Sequence, residues 1–360
     1  MNMKRQNNVG TDYYYIVKNR NKNTRTIRLI MVVVAVILAV FLTAVSVVFV
    51  MYLNGKKGML NNDVVISTPQ EEIEADIDIE DDGKTVVYNN KKYVFNENVT
   101  TVLFMGIDKT DVDKTSAIIG KNGQADALYL AVIDTQNGKT SFLSVSRDTI
   151  TDVSLYSQTG NYVGVKKLPI CAAFAYGDGK ATSCENTATA LSRLLYGMPI
   201  NRYVTFDMNS VSTLTNYVGG VEVPEYNSSF TEQTGNKITI RGKAALKYVR
   251  YRDKKVFGSN NSRIERQRYF LKSLGNKILT STKKDIGYPL KIFNVLKTDM
   301  VTSLSAPDVT FLASVIVKSN DEPDFVSIEG RMVEGAEYDE FYVDHTKLYE
   351  QVLELFYMEQ

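Results

Sequence analysis

The sequence has few of the side chains on which most metal and hydrolytic chemistry depends. In 360 residues there is one histidine, His345, two cysteines, Cys171 and Cys184, and no tryptophan. A structural zinc site takes about four Cys or His ligands, which this inventory cannot furnish in the usual way. A nucleophile activated by histidine would have only His345 as its base. If a metal is used, it is a hard cation held by oxygen ligands. Excess charge of one sign is also lacking, since 42 Lys and Arg face 41 Asp and Glu for a net +1. The 44% apolar and 23% charged content suits a chain with a real core and names no function.

A long hydrophobic run is present. Residues 29–53, LIMVVVAVILAVFLTAVSVVFVMYL, are uncharged. As a helix rising about 1.5 Å per residue they span a hydrocarbon core of about 30 Å. Lys4, Arg5, Lys18, Arg20, Lys22, Arg25 and Arg28 precede them against one acid, Asp12. The positive-inside rule therefore keeps the N-terminus in the cytoplasm and places everything after the helix outside. A cleaved signal peptide is the alternative, but the run exceeds the usual apolar length of about 7–15 residues and no clear small-residue cleavage site ends it.

The expected organisation is a basic tail (1–28), a transmembrane helix (29–53), an acidic, self-repelling spacer (54–95, from Glu71 to Asp82 above all) and one domain over 96–360. Strand-like and helix-like segments alternate through that domain, which predicts an α/β fold with a central sheet covered by helices. TTVLFMGID (100–108), ALYLAVID (127–134), TSFLSVSRD (140–148), RYVTFD (202–207) and DFVSIE (324–329) read as strands. Asn137-Gly138 reads as a two-residue hairpin turn, which would set Leu128 opposite Arg147 and bring Asp126 to the same end of the sheet. Helices are expected from Ser183 as N-cap to Tyr196, from Met208 to Tyr217, and from about His345 to Tyr357.

Positive charge is concentrated locally. From Arg241 to Lys272 there are eleven Lys and Arg against Asp253 and Glu265, either a solvated surface or a site for a strong anion. On a helical wheel Ile264, Leu271, Leu274 and Ile278 form an apolar arc that contains Gln267 and has Arg263 at its edge, while Arg268 faces solvent. Arg250 and Arg252 would share a side if the backbone there is extended. Singly, each has an ordinary structural explanation: a surface strand for the arginine pair, a turn or cap for Asp108, a salt bridge for Asp126 and Arg147.

Together, TVLFMGID, GQADALYLAVID, TSFLSVSRDT, AAFAYGDGK, RYVTFDMNSVSTLTNYVGGVEV, GKAALKYVRYR and SRIERQRYFL resemble, in order and spacing, the LytR-CpsA-Psr family. The resemblance covers roughly 100–357. It implies transfer of a glycopolymer, such as teichoic acid or capsule, from polyprenyl pyrophosphate to peptidoglycan by an enzyme anchored in the cell membrane with its catalytic domain outside. It further implies that Arg147, Arg250, Arg252, Arg263 and Gln267 bind the pyrophosphate. Asp108 and Asp126 would hold Mg²⁺ or Mn²⁺, and Asp108, Asp126 and Arg147 would take part in the chemistry. Guanidinium forks suit clustered phosphate oxygens, and Mg²⁺ needs one or two carboxylates besides phosphate and water.

The chain departs from the family pattern in three places. Gln124-Ala125 stand where Arg-Ser usually precede Asp126, Ser146 replaces a proline before Arg147, and no arginine follows within Thr149-Ile150-Thr151. Lys109, Lys166, Lys167 or Lys180 could compensate. A non-catalytic module binding wall polymer or polyprenyl lipid is therefore an alternative. A transcriptional regulator is another, opposed by a topology that removes the basic stretch from nucleic acid. Cys171 and Cys184, both outside in this topology, are expected to form a disulfide, with buried free thiols as the alternative.

Overall fold

The computed structural model describes residues 9–60, 73, 77–80, 83–108, 119, 123–251, 259–335 and 338–360. The chain divides into two units, Met1–Met51 and Tyr52–Gln360. A helix, Val9–Met59, makes up nearly all of the first. Its stretch Met31–Met59 is long and apolar enough to cross a membrane, with a mean hydropathy of 3.1 over an 18-residue window. Apolar side chains all around that helix, such as Val40 and Phe41, are exposed, as a span requires of a helix facing lipid.

The second unit begins to pack at Tyr52, earlier than the expected spacer allows. Met59 is fully buried, its carbonyl accepts from the Thr100 hydroxyl at 2.7 Å, and the Tyr52 ring lies 5.6 Å from that of Phe311. A Cβ on Gly55 would come within 2.2 Å of the Pro307 carbonyl oxygen, so only glycine permits this approach. Further along the presumed spacer, strands Ile77–Glu80, Thr85–Tyr88 and Lys91–Phe95 form an antiparallel sheet completed by Tyr357–Glu359. The alternating Ile77 and Ile79 pack on the main core, so Asp78 and Glu80 decorate a folded strand, while Glu71, Glu72, Glu74, Asp76, Asp81 and Asp82 lie outside the described residues.

The central sheet has six strands in the order Met300–Thr302, Arg202–Phe206, Val99–Ile107, Ala125–Asp134, Thr140–Val145 and Asp324–Ser327. It is mixed, as expected: Val99–Ile107 runs parallel to Arg202–Phe206 and antiparallel to Ala125–Asp134. Its strands are apolar on both faces because both are covered. Leu103, Met105, Leu128, Leu130, Leu143 and Val145 point into the main core with the Ala181–Leu194 and His345–Phe356 helices. The alternate residues, including Val102, Phe104, Ala127, Tyr129 and Phe142, face the other way and line a cavity.

The hairpin register differs from expectation by two residues. Leu128 pairs with Val145 and Ile133 with Thr140, because the connection is a four-residue loop, Thr135 to Gly138, closed by Asp134 and Lys139. Asp134 caps the loop by accepting from the Gln136 amide at 2.8 Å and the Asn137 side chain at 3.1 Å. Of the two turn residues, only Gly138 has positive φ (+79°), whereas a type I′ turn needs it at both. An even shift preserves which face each side chain occupies.

Two helix expectations are also corrected. Ala181–Leu194 starts before Ser183, whose hydroxyl accepts from the Gly179 amide at 2.7 Å, with Lys180 at the N-cap. Arg250 is not in extended chain: it ends the helix Lys243–Arg250, which Ala244, Ala245 and Leu246 favour by propensity. Met208–Tyr217 matches the expected helix, its first turn held by the Asp207 carboxylate.

Candidate active site

The cavity encloses about 840 Å³. One wall is the sheet face described above, where Gly106, Ala127 and Ala131 leave room that larger side chains would fill. The opposite wall is helical: Leu214 from Met208–Tyr217, Val249 from Lys243–Arg250, Leu271, Leu274 and Ile278 from Ser259–Lys284, and Leu312 from Ala306–Ile316. From Asp126 to Ile133 the lining follows one strand for about 24 Å at roughly 3.4 Å per residue.

The charged residues gather at one end of this apolar space. Asp108 follows the Val99–Ile107 strand and Asp126 lies in the first residues of its antiparallel neighbour, so strand direction alone brings the two acids to one sheet end. Continuing the observed pairing two residues beyond Leu128–Val145 places Asp126 opposite Arg147. Arg147 Nη1 donates to Asp126, its Nε to Asp148 at 3.3 Å, and its Nη2 to the Gln124 side-chain oxygen at 2.7 Å and to Cys171 Sγ at 3.7 Å. Arg250 reaches Asp108 from the helical side, Nη2 to Oδ1 at 3.0 Å. Arg263 and Gln267 line the same cavity from the Ser259–Lys284 helix, while Arg268 is exposed.

Asp108, Asp126, Arg147, Arg250, Arg263 and Gln267, expected at one site, all line this cavity. Arg252 and Lys109 lie outside the described residues. Lys166, Lys167 and Lys180 do not line the cavity, and Lys167 instead pairs with Asp152 at 3.4 Å. Ile264, assigned to the apolar arc, is 49% exposed. Cys171 and Cys184 are separate buried thiols, contrary to the expected bridge. Cys171 lies against Arg147 and Cys184 against Thr205, and burial raises the two thiols to about 11 and about 12.

Electrostatically the two half-buried acids beside Arg147 behave alike. Burial raises the Asp126 carboxyl above its ordinary value, Arg147 opposes the rise, and the neighbouring Asp108 adds to it. Asp148 is likewise raised by burial and opposed by Arg147. Asp108 and Asp126 thus share one field, in which a cation would relieve their repulsion. Among the described residues no group of three or more His, Cys, Asp or Glu converges. Any cation here would have two protein carboxylates and would need further oxygens from an anionic ligand, a donor count that fits Mg²⁺.

Arg266 is a residue of the site's framework that local sequence does not signal. It is 1% exposed and donates to the carbonyls of Tyr248 (2.9 Å), Phe230 and Tyr251. Gln267 donates to the Val249 carbonyl at 3.0 Å. Both side chains satisfy carbonyls at and beside the end of Lys243–Arg250, where a helix leaves acceptors unpaired, and so fix the turn that presents Arg250. The guanidinium lies 4.9 Å over the Phe230 ring and 5.5 Å over that of Tyr226. Its position lies off the apolar arc of its own helix, and the aromatic face it enters is built from Tyr226, Phe230 and Tyr248, distant in sequence.

The α/β domain thus holds an apolar cavity that ends in a cluster of arginines and carboxylates, a shape and charge pattern suited to an amphiphile with an anionic head. The chain belongs to the LytR_cpsA_psr family, whose model matches residues 64–355. It is 28% identical over 239 residues to a polyisoprenyl-teichoic acid–peptidoglycan teichoic acid transferase, TagU of Enterococcus faecalis, covering 65% of this chain and 70% of that protein. TagV of Bacillus subtilis, named for the same transfer, is 27% identical over 58% of this chain and 48% of its own length. The crystal structure of B. subtilis TagV shares the fold, with a TM-score of 0.54 at 24% identity over 72% of this chain and 96% of that one.

Proposed function

We propose that the protein is a membrane-anchored phosphotransferase that moves a glycopolymer, a teichoic acid, capsule or similar polymer, from a polyprenyl-pyrophosphate carrier to peptidoglycan. The observation that carries this reading is the joining of an apolar cavity of about 840 Å³ to an arginine-rich end. A polyprenyl tail fits the first and a pyrophosphate the second. The names of the relatives describe transfer of teichoic acid from a polyisoprenyl-linked donor to peptidoglycan.

In this reading Arg147, Arg250 and Arg263 grip the pyrophosphate, with Arg252 contributing from the following segment and Gln267 holding the helix end beside them. The acceptor hydroxyl attacks the glycan-bearing phosphorus. A new P–O bond forms, the bond to the bridging oxygen breaks, and polyprenyl phosphate departs with the electron pair. Arginines already in place stabilise the charge that develops on that leaving group. The hydroxyl proton passes to a carboxylate of the site. Asp108 and Asp126 would hold Mg²⁺ or Mn²⁺, which supplies charge neutralisation on the phosphate oxygens.

The basic residues ahead of the apolar helix support a single-pass topology with a cytoplasmic N-terminus and the domain outside. Incubation of the full chain with labelled polyprenyl-pyrophosphate glycan, peptidoglycan and Mg²⁺ tests the reading. Label in peptidoglycan and release of polyprenyl phosphate are expected. Retention of intact donor without turnover would select a binding module instead, a reading that the Gln124 and Thr151 departures favour. An active cytoplasmic reporter fused after Gln360 would overturn the wall location and return the regulator to consideration.

A further inference from the structure

Gln124, which stands where the family pattern has arginine, touches Arg147, a residue of the cavity's charged end. Its side-chain oxygen lies 2.7 Å from Arg147 Nη2. A guanidinium only donates, so the atom it faces must be the amide oxygen, and the amide NH₂ is then left without a partner among the described residues. Arg147 is held on every side: by Asp126 at Nη1, Asp148 at Nε, and Gln124 and Cys171 at Nη2. Three of these four acceptors are half-buried or buried, and Gln124 alone is exposed.

We propose that Gln124 is a positioning residue of the anion site, which orients Arg147 through its amide oxygen and offers its amide NH₂ as a neutral donor to a phosphate oxygen. The chain thereby replaces a charge at this position with a hydrogen bond. Two opposite demands meet in one side chain. The oxygen holds the guanidinium plane fixed beside the two carboxylates, so that its orientation is set before an anion arrives. The NH₂ group extends the donor surface without adding repulsion to Arg147. A surface glutamine in chance contact would meet neither demand.

The proposal rests on the pyrophosphate reading, and the two can fail separately. The full chain, in detergent, is titrated with inorganic pyrophosphate and assayed for transfer as Gln124→Met and Gln124→Glu variants. Gln124→Met removes both oxygen and NH₂, and a lost hydrogen bond to a charged partner corresponds to about a 10- to 100-fold effect. A fall of that size is expected in kcat as well as in pyrophosphate affinity. Gln124→Glu keeps an acceptor for Arg147 but sets a negative charge beside the anion. It should weaken pyrophosphate binding and raise KM by about 10-fold or more, with a smaller fall in kcat than Gln124→Met shows.

That split is the signature of positioning, since simple structural damage moves both variants together. Wild-type binding and transfer matched by both variants would overturn the role of Gln124 and leave the transferase reading intact. Absence of pyrophosphate binding by the wild-type chain would sink that reading and this proposal with it.

Discussion

Asp126 and Arg147 meet across the end of the central sheet, 21 residues apart in sequence, because the hairpin between them closes with a four-residue loop that sets them directly opposite one another. The pair is about one-third exposed on each side, and Arg147 retains Asp148 as a second anionic partner. Asp126→Asn preserves shape and an acceptor for Arg147 but removes the charge. It should lower transfer by about 10²-fold, the order seen when one preorganised charge-handling group is lost, with little change in thermal stability. Steady-state kinetics beside a melting curve separates the two effects.

The pH dependence follows from the direction of the shifts. Burial raises Asp126 and Asp148 above the ordinary aspartate value of 3.8. Between the unfolded and folded pKa the folded state binds more protons, so these acids favour folding as pH falls through their folded pKa and oppose it above. Transfer, by contrast, needs Asp126 ionised. Its acid limb should therefore lie above pH 3.8 and move to lower pH as Mg²⁺ is raised, because cation and proton compete for one carboxylate. An acid limb insensitive to Mg²⁺ would separate Asp126 from cation binding.

Arg250 and Asp108 are each about half exposed, at 50% and 54%, and such a pair contributes only about 0–1 kcal/mol to stability. Arg250→Ala should leave the fold unharmed while reducing transfer by about 10²-fold. Arg263→Ala should do the same, and solvent-facing Arg268→Ala should change transfer by less than about 2-fold. Equal, small effects at all three positions would identify the basic stretch as an ordinary solvated surface.

Much of this site was legible because strand signals and strand ends lie in local sequence. Asp108 and Asp126 could be placed at one sheet end from two apolar runs and their direction, and Gln267 could be placed in an apolar arc from helical spacing. The exact partner of Arg147 could not, because Asn137-Gly138 resembles a two-residue turn until Asp134 captures the loop amides. Arg250 was read as extended, whereas Ala244 and Ala245 together with the carbonyl contacts of Arg266 and Gln267 make it the end of a helix. The cavity was invisible. Its walls come from one sheet and several helices, and the small residues that open it, Gly106, Ala127 and Ala131, are unremarkable in any single strand.

Arg266 should prove a stability residue with an indirect effect on transfer. It is buried and serves three carbonyls, and hydrogen bonds from a charged donor contribute about 1.5–3 kcal/mol each, with a further cost for acceptors left unpaired. Arg266→Ala should destabilise the domain by about 3 kcal/mol or more in denaturant unfolding. Arg266→Lys should recover only part of this, because one ammonium cannot reproduce the planar fork. A variant as stable as the parent would show that the three carbonyls find water instead.

The apolar cavity makes the most discriminating prediction, because it concerns a part of the donor that undergoes no chemistry. Leu271 and Ile278 both line it from one helix, seven positions apart and therefore separated by about 10 Å along the axis at roughly 1.5 Å per residue. Leu271 is nearer to Gln267 and the charged end. If the tail runs along this wall, Leu271→Trp should obstruct donors of any tail length, whereas Ile278→Trp should spare a short-chain polyprenyl donor and impair a long one. The measure is the ratio of kcat/KM for long and short donors, which should fall by about 10-fold or more in Ile278→Trp, equivalent to about 1.4 kcal/mol, and stay near the wild-type value in Leu271→Trp. An unchanged ratio in both variants, with the fold intact, would place the tail elsewhere and remove the main physical support for a polyprenyl-linked donor.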